Sequence, residues 1–234
     1  MTFEKYTYKK YEYSGLKIGP GQKIPDEILT RLKMANQNLT KDRNFQKYQD
    51  EIKHIFRLNA VKITTETKLF LGGFIEGEGS LNVSAKKQAS AAMGLVIDPE
   101  FSITQHINGV SSLYLALAIF QTGRISYKSG SNATLVFRID NRKTLQDKVM
   151  PFYKYYVYPY GSVSKIKRAE IFQKLLNLFE QKAHLNFDRF TNKVLPLWDS
   201  LRIQVNASNQ TCLNLNQAKK FVQETVANKL KLKD

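Results

Sequence analysis

Residues Leu71 to Gly79 read LGGFIEGEG, and no other stretch limits the fold of this chain as strongly. It begins as an apolar helix yet holds Gly72, Gly73 and Gly77. A glycine inside a helix costs about 1 kcal/mol relative to alanine, so three in one helix need a packing reason. Gly73 and Gly77 lie four residues apart, on one face, where missing side chains let two helix backbones come very close. Small residues at this spacing pair helices in membranes, and the steric argument carries over to a soluble pair. The chain holds one copy of the stretch and no internal repeat. A second copy of the chain, related by a two-fold, is then expected to supply the partner helix, with Gly72, Gly73 and Gly77 at the interface. Glu76 and Glu78 close the helix at its negative end, where the dipole disfavours anions by a few tenths to about 1 kcal/mol. In a chain rich in Lys and Arg, two such acids suggest a bound cation, and oxygen ligands favour Mg2+ or Ca2+ over zinc. Helix pairing would bring the two Glu78 side chains together across the two-fold. The alternative makes both acids ordinary exposed helix-end residues.

Periodicity organises the rest. Residues 1–20, with Tyr6, Tyr8, Tyr11 and Tyr13, are expected to form a basic, aromatic arm. Residues 21–59 should form an accessory helical hairpin that starts at Pro25-Asp26-Glu27, with Pro in the first turn and acids at the positive end of the dipole. Residues 60–205 make the main unit, and residues 206–234 a helical extension beginning near Asn214. Inside the main unit, Thr64 to Glu78 reads as a helix capped by Thr64 or Thr65. Leu81 to Ala85, Glu100 to Thr104, Arg124 to Lys128 and Ala133 to Asp140 alternate as strands, with an apolar helix from Val110 to Phe120 between the second and third. After Asp140 the chain turns helical, along an apolar stripe capped by Ser162 or Ser164; Pro196 should kink or break the later part. The order α-β-β-α-β-β-α predicts an α+β fold with helices on one face of a four-stranded antiparallel sheet, plus helical extensions at both ends.

The chain carries 36 Lys and Arg against 20 Asp and Glu, a formal net charge of +16 over 234 residues. That excess predicts a polyanionic partner, nucleic acid before an anionic membrane. Cys212 is the single cysteine, and His54, His106 and His184 are the only histidines. Disulfide frameworks and Cys/His zinc sites are therefore excluded, and with them the nucleases built on zinc-bound Cys/His clusters. The longest apolar run, Leu113 to Phe120, is too short to span a bilayer. The N-terminal MTFEKYTYKKYEY has no apolar core and contains Glu4 and Glu12, so it reads as neither a secretory signal nor a transit peptide.

LGGFIEGEGSL resembles the LAGLIDADG motif of homing endonucleases, position by position through Gly79. Element order and length are similar to the single-motif, homodimeric members, and the likeness extends from about Thr64 to at least Phe172. It looks closest to algal intron-encoded enzymes of chloroplasts, which makes an organelle, the chloroplast, the expected compartment. The resemblance implies a saddle-shaped DNA-binding sheet and site-specific hydrolysis of both strands of double-stranded DNA. Cleavage would cross the minor groove of a long, roughly palindromic target and leave short 3′ overhangs. Glu78 then matches the metal-ligating acid, aided by the Gly77 carbonyl, and Glu76 a structural acid. Gln105, in FSITQH, matches the residue that orients water. Lys165 matches the basic residue that stabilises charge in the transition state, with Lys167 and Arg168 as neighbouring rivals. Mg2+ is the implied cofactor, Ca2+ or Mn2+ being able to occupy the same sites. Both motif acids here are Glu rather than Asp, one methylene longer.

Strict alternation puts Gln105 on the face of Phe101 and Ile103, so the strand must end or twist for it to reach such a site. The opposite faces carry the reading surface: Asn82, Ser84 and Lys86, with Gln88 continuing the row; Ser102 and Thr104; Arg124, Ser126 and Lys128; Thr134 and Arg138. Amides and hydroxyls there suit base edges, and Lys and Arg suit phosphates and guanine. A rival reading is a splicing maturase binding intron RNA on the same fold. A second is a catalytically silent DNA-binding regulator, against which the intact acids and the lack of a separate helix-turn-helix argue.

Overall fold

The computed structural model describes residues 16–202 and 213–231. Residues 1–15 of the flexible arm expected over 1–20, Cys212 and the boundary expected at 205/206 lie outside them; the arm's described part is held, Leu16 N–H donating to the Phe56 carbonyl and Ile18 exchanging two hydrogen bonds with the Asn108 side chain.

Two helices, α1 (Asp26–Asp42) and α2 (Phe45–Ile55), form the expected hairpin. Pro25 precedes the first helical residue, and α1 ends where Arg43 turns left-handed (φ 52°). The Asn44 side chain caps α2 by accepting from the Lys47 N–H. Their buried residues, Leu32, Ala35, Tyr48, Ile52 and Ile55, join the same core as the sheet. The motif helix α3 (Thr65–Glu78) opens on a capping box in which the Thr64 and Thr67 hydroxyls each accept a backbone N–H. It runs directly into β1 (Gly79–Lys87), followed by β2 (Leu95–His106), α4 (Val110–Phe120), β3 (Arg124–Tyr127) and β4 (Thr134–Ile139). The sheet is antiparallel with order β1-β2-β4-β3. Leu81, Ile97, Phe101, Ile103, Leu135, Phe137 and Ile125 are buried beneath the helices. The expected α+β order therefore holds, with β2 considerably longer than the stretch from Glu100 to Thr104.

Strand β3 is an edge, and the N-terminal hairpin closes it. The Tyr48 hydroxyl accepts from the Ile125 N–H at 2.8 Å, and the Asn36 amide donates to the Ile125 carbonyl at 2.9 Å. Backbone groups that would otherwise template a foreign strand are thereby occupied.

Beyond β4 the chain is helical over residues 142–157, then in α5 (Val163–Glu180), residues 187–194, α6 (Leu195–Arg202) and α7 (Leu215–Lys231). Ser162, not Ser164, caps α5. Three stretches are wide π turns: Leu145–Val149, Tyr153–Val157 and Phe190–Val194. Each ends two residues before a proline, namely Pro151, Pro159 and Pro196. A proline lacks the N–H for its i−4 carbonyl and clashes with it; a widened turn relieves that clash. Pro196 thus widens the helical path upstream of itself instead of breaking it.

Candidate functional site

The centre of interest is the junction between the C-terminus of α3 and the N-terminus of α5. Its glycines have separate duties. A Cβ on Gly72 would collide with the Tyr156 carbonyl, reaching 2.8 Å from its carbon. Gly72 therefore lets the 153–157 turn of the same chain pack on α3 and does not face outward. This corrects its expected place at a dimer interface. A Cβ on Gly73 or Gly77 would meet nothing within 4 Å, and both glycines are exposed. Beside them Leu69 and Phe70 are 42% and 54% exposed. Phe70 and Phe74 stack with centroids 6.2 Å apart. An apolar, glycine-bearing helix face thus stands open.

Glu76 and Glu78, two residues apart, point to different environments. Glu76 Oε1 accepts from the Ser162 N–H at 3.0 Å, so this carboxylate sits at the positive end of α5. Its Oε2 is buried without a hydrogen-bond partner, as is the hydroxyl of Tyr153. Burial pushes the Tyr153 phenol well above its ordinary range, with the Glu76 charge adding to the rise. Glu78 is exposed, on the last residue of the helix.

Lys165, in the first turn of α5, reaches back to α3. Its ammonium donates to the carbonyls of Ile75 (2.9 Å), Gly79 (2.8 Å) and Glu76. An ammonium has three donors, so all are engaged by the end of the motif helix. In this arrangement Lys165 holds the end of the motif helix, and its charge lies beside the residues expected to form the site. Burial lowers its pKa, while Glu76 and Glu78 pull the other way. Of the two rivals, Arg168 is engaged by the Leu81 and Leu201 carbonyls, and Lys167 is exposed. The α3–α5 junction is a closed clasp: Glu76 caps α5, and Lys165 caps α3.

Gln105 lies two residues beyond Ile103, the register partner of Gly79, and pairs with Leu135 near the end of β2. It is half-buried on the helix side of the sheet, the side on which α3 packs. Its Oε1 accepts from the His106 N–H at 2.7 Å, and its aliphatic part fills the space left by Gly109. The strand ends one residue later, which answers the tension posed by alternation.

The residues expected to read DNA come together on the opposite face. The registers Asn82↔Glu100, Ser84↔Asp98, Lys86↔Val96, Ser102↔Arg138, Thr104↔Val136, Ser126↔Val136 and Arg124↔Arg138 share one side. Thr134 continues it opposite His106. Asn82 donates to the Ser102 hydroxyl (3.1 Å) and accepts from Ser80 (2.8 Å), a fixed polar tape along β1. Two expected members fall just outside the strands. Gln88 begins the β1–β2 loop, its N–H donating to the Gly94 carbonyl, and Lys128 follows β3 with its N–H on the Thr134 carbonyl. The missed residues are acids: Asp98 and Glu100 on β2, and Asp140 after β4. Lys86 pairs with Asp98 at 3.1 Å and Arg124 with Asp140 at 2.7 Å. Arg138 Nε lies 2.8 Å from Glu100 Oε2, an ion-pair contact whose angle leaves that N–H without a proper hydrogen bond. Glu100 already lay in the expected strand, on the face of Ser102 and Thr104, and extending the alternation back through Ile97 to Leu95 would have found Asp98.

Residues 71–174 match the family described as LAGLIDADG endonuclease. The chain is similar to DNA endonuclease I-CeuI of Chlamydomonas moewusii, 50% identical over 204 residues, covering 87% of this chain and 94% of that protein. It is similar in structure to the group I intron-encoded homing endonuclease I-CeuI complexed with DNA, with TM-score 0.84 and 49% identity over 88% of this chain and all of that one. The archaeal intron-encoded homing endonuclease I-Vdi141I complexed with DNA matches at TM-score 0.59 and 27% identity, over 68% of this chain and 96% of that one.

Proposed function

This chain belongs to the LAGLIDADG endonuclease family, and from that premise we propose that two copies pair through α3 and cut both strands of one DNA duplex. It is a metal-dependent homing endonuclease that binds double-stranded DNA. The observation that carries the dimeric reading is the open α3 face, where exposed Leu69 and Phe70 flank Gly73 and Gly77 and Glu78 ends the helix.

Among the described residues no three His, Cys, Asp or Glu side chains gather into a metal-binding group. That fits a centre in which each chain supplies one acid and DNA phosphate oxygens complete the shell. The Glu78 carboxylate and the Gly77 carbonyl would hold the ion, and such hard oxygen donors suit Mg2+, with Ca2+ or Mn2+ as substitutes. Bound there, the ion would lower the pKa of water and polarise the phosphate, so no side-chain base is required. Gln105, whose Oε1 is engaged by the His106 N–H, would orient water through the rest of its amide. Lys165 fixes the helix end that carries Gly77 and Glu78, and its positive field favours the charge that develops on the phosphate. The polar sheet face reads the major groove of a long, roughly palindromic target, with cleavage across the minor groove leaving short 3′ overhangs. An algal organelle, the chloroplast, is the proposed setting; the origin of the Chlamydomonas relative supports it.

The test is Mg2+-dependent cleavage of a randomised duplex library by wild type and Glu78→Gln, with sequencing of the ends. Wild type should yield one dominant site with 3′ overhangs, and Glu78→Gln should bind that site without cutting it. A Glu78→Gln protein that cuts at the wild-type rate would remove the metal-ligand assignment. Tight binding of folded intron RNA with no cleavage of any duplex would return the maturase reading.

A further inference from the structure

A sheet that reads a polyanion is expected to be basic, yet this one is nearly balanced. Its face carries Lys86, Arg124, Lys128 and Arg138 against Asp98, Glu100 and Asp140, in a chain whose net charge is +16. All three acids lie in contact with a base of the same face. Ion pairs this exposed contribute about 0–1 kcal/mol to stability, too little to explain three carboxylates where DNA must dock. Glu100 is the most enclosed of them. Burial raises its pKa against the pull of Arg138, so the fold keeps a partly desolvated carboxylate at the middle of the sheet. Arg138 and Arg124 are register partners on β4 and β3, and each is paired with its own acid, Arg138 with Glu100 and Arg124 with Asp140.

We propose that Glu100 and Asp140 are specificity-determining residues: Glu100 holds Arg138 and Asp140 holds Arg124 for base edges, and both acids deny these arginines to backbone phosphates. A free arginine on such a face swings to any phosphate and adds affinity for every sequence alike. An arginine held by a carboxylate keeps its fork in one orientation, and only a base presenting two acceptors at that spot gains from it. The acids thus weaken general DNA binding and sharpen recognition at one base step in each half-site. This inference rests on the endonuclease reading.

The experiment compares wild type, Glu100→Gln and Asp140→Asn. Each is selected on a randomised duplex library and then titrated, across a range of salt, against the selected site and a scrambled duplex of equal length. Both variants should bind the scrambled duplex more tightly, with a salt slope steeper by about 1. Their preference should relax at one symmetric pair of positions, and the ratio of selected to scrambled affinity should fall about tenfold, the size of one lost bidentate base contact. Asp140 is exposed, so its variant remains informative should Glu100→Gln fail to fold. Variants that keep the wild-type sequence preference and affinity ratio would overturn the proposal while leaving the nuclease reading intact. A wild type that enriches no sequence at all would overturn both.

Discussion

Alanine at Gly72 and alanine at Gly73 should have opposite effects, although the residues are neighbours in one helix. Both changes gain about 1 kcal/mol of helix propensity. At Gly72 the new methyl meets the backbone carbonyl of Tyr156, which cannot rotate away as a side chain would. Either α3 or the 153–157 turn must retreat, and overpacking of this kind costs about 1–3 kcal/mol, towards the upper end against backbone. The net loss is about 2 kcal/mol, or about 4–8 °C in Tm for a domain of this size. At Gly73 the methyl meets nothing in its own chain, so the isolated protomer should gain about 2–4 °C. The same methyl would stand between paired helices, so self-association should weaken by at least tenfold, about 1.4 kcal/mol. Thermal unfolding at low and high protein concentration, with sedimentation equilibrium, separates the two effects, because Tm depends on concentration only where folding is linked to assembly. A Gly72→Ala protein as stable as wild type would refute the close approach to Tyr156. A Gly73→Ala protein that dimerises with wild-type affinity would refute the assignment of the open face.

Tyr48→Phe leaves the Ile125 N–H of the edge strand without its acceptor and should cost about 1–3 kcal/mol, measured as a shift in the urea midpoint at constant m; an unshifted midpoint would mean the edge finds another partner. The Lys165 ammonium is held below its ordinary pKa chiefly by burial. A base whose folded pKa is depressed binds fewer protons when folded, so stability should rise with pH from that folded value up to the ordinary lysine pKa of about 10.4. Lys165→Met should remove this rise in a comparison of urea midpoints between pH 7 and 10.5, and identical slopes for both proteins would exclude Lys165 as its source.

Much of this architecture can be read directly from the chain. The helix from Val110 to Phe120 follows from its apolar run, and the motif helix from its threonine start, of which Thr64 proves to be the cap. Strand β2 is longer than its alternation suggests because Pro99 sits in its middle and masks the pattern. Over residues 95–100 the only sheet neighbour is β1, since the β4 register begins at Phe101, and a proline is tolerated where its missing N–H faces no partner. The same proline hides Asp98; Glu100 opens the expected stretch and lies on the face of Ser102 and Thr104. The glycine spacing points to a close approach, but spacing alone cannot say whose backbone approaches. Gly72 receives Tyr156 of its own chain, from a π turn whose geometry depends on a downstream proline. Lys165 is legible as a residue near the site; its engagement with three carbonyls depends on how α5 meets α3, which no local pattern encodes.

The clasp between α3 and α5 also bears on how such a lineage can change. Of two carboxylates separated by a single glycine, Glu76 is committed to the architecture and Glu78 stands free of it. Selection for a folded protein preserves the first, whereas on the proposed metal-ligand role only selection for cutting preserves the second. A population in which cleavage no longer brings an advantage can therefore lose Glu78 without loss of stability. What it would keep is a well-folded DNA-binding protein, a starting point for a repressor or a scaffold. Descendants that have lost the first acid instead are expected to be rarer, because that change also removes a cap of α5, at a cost of about 0.5–2 kcal/mol in stability.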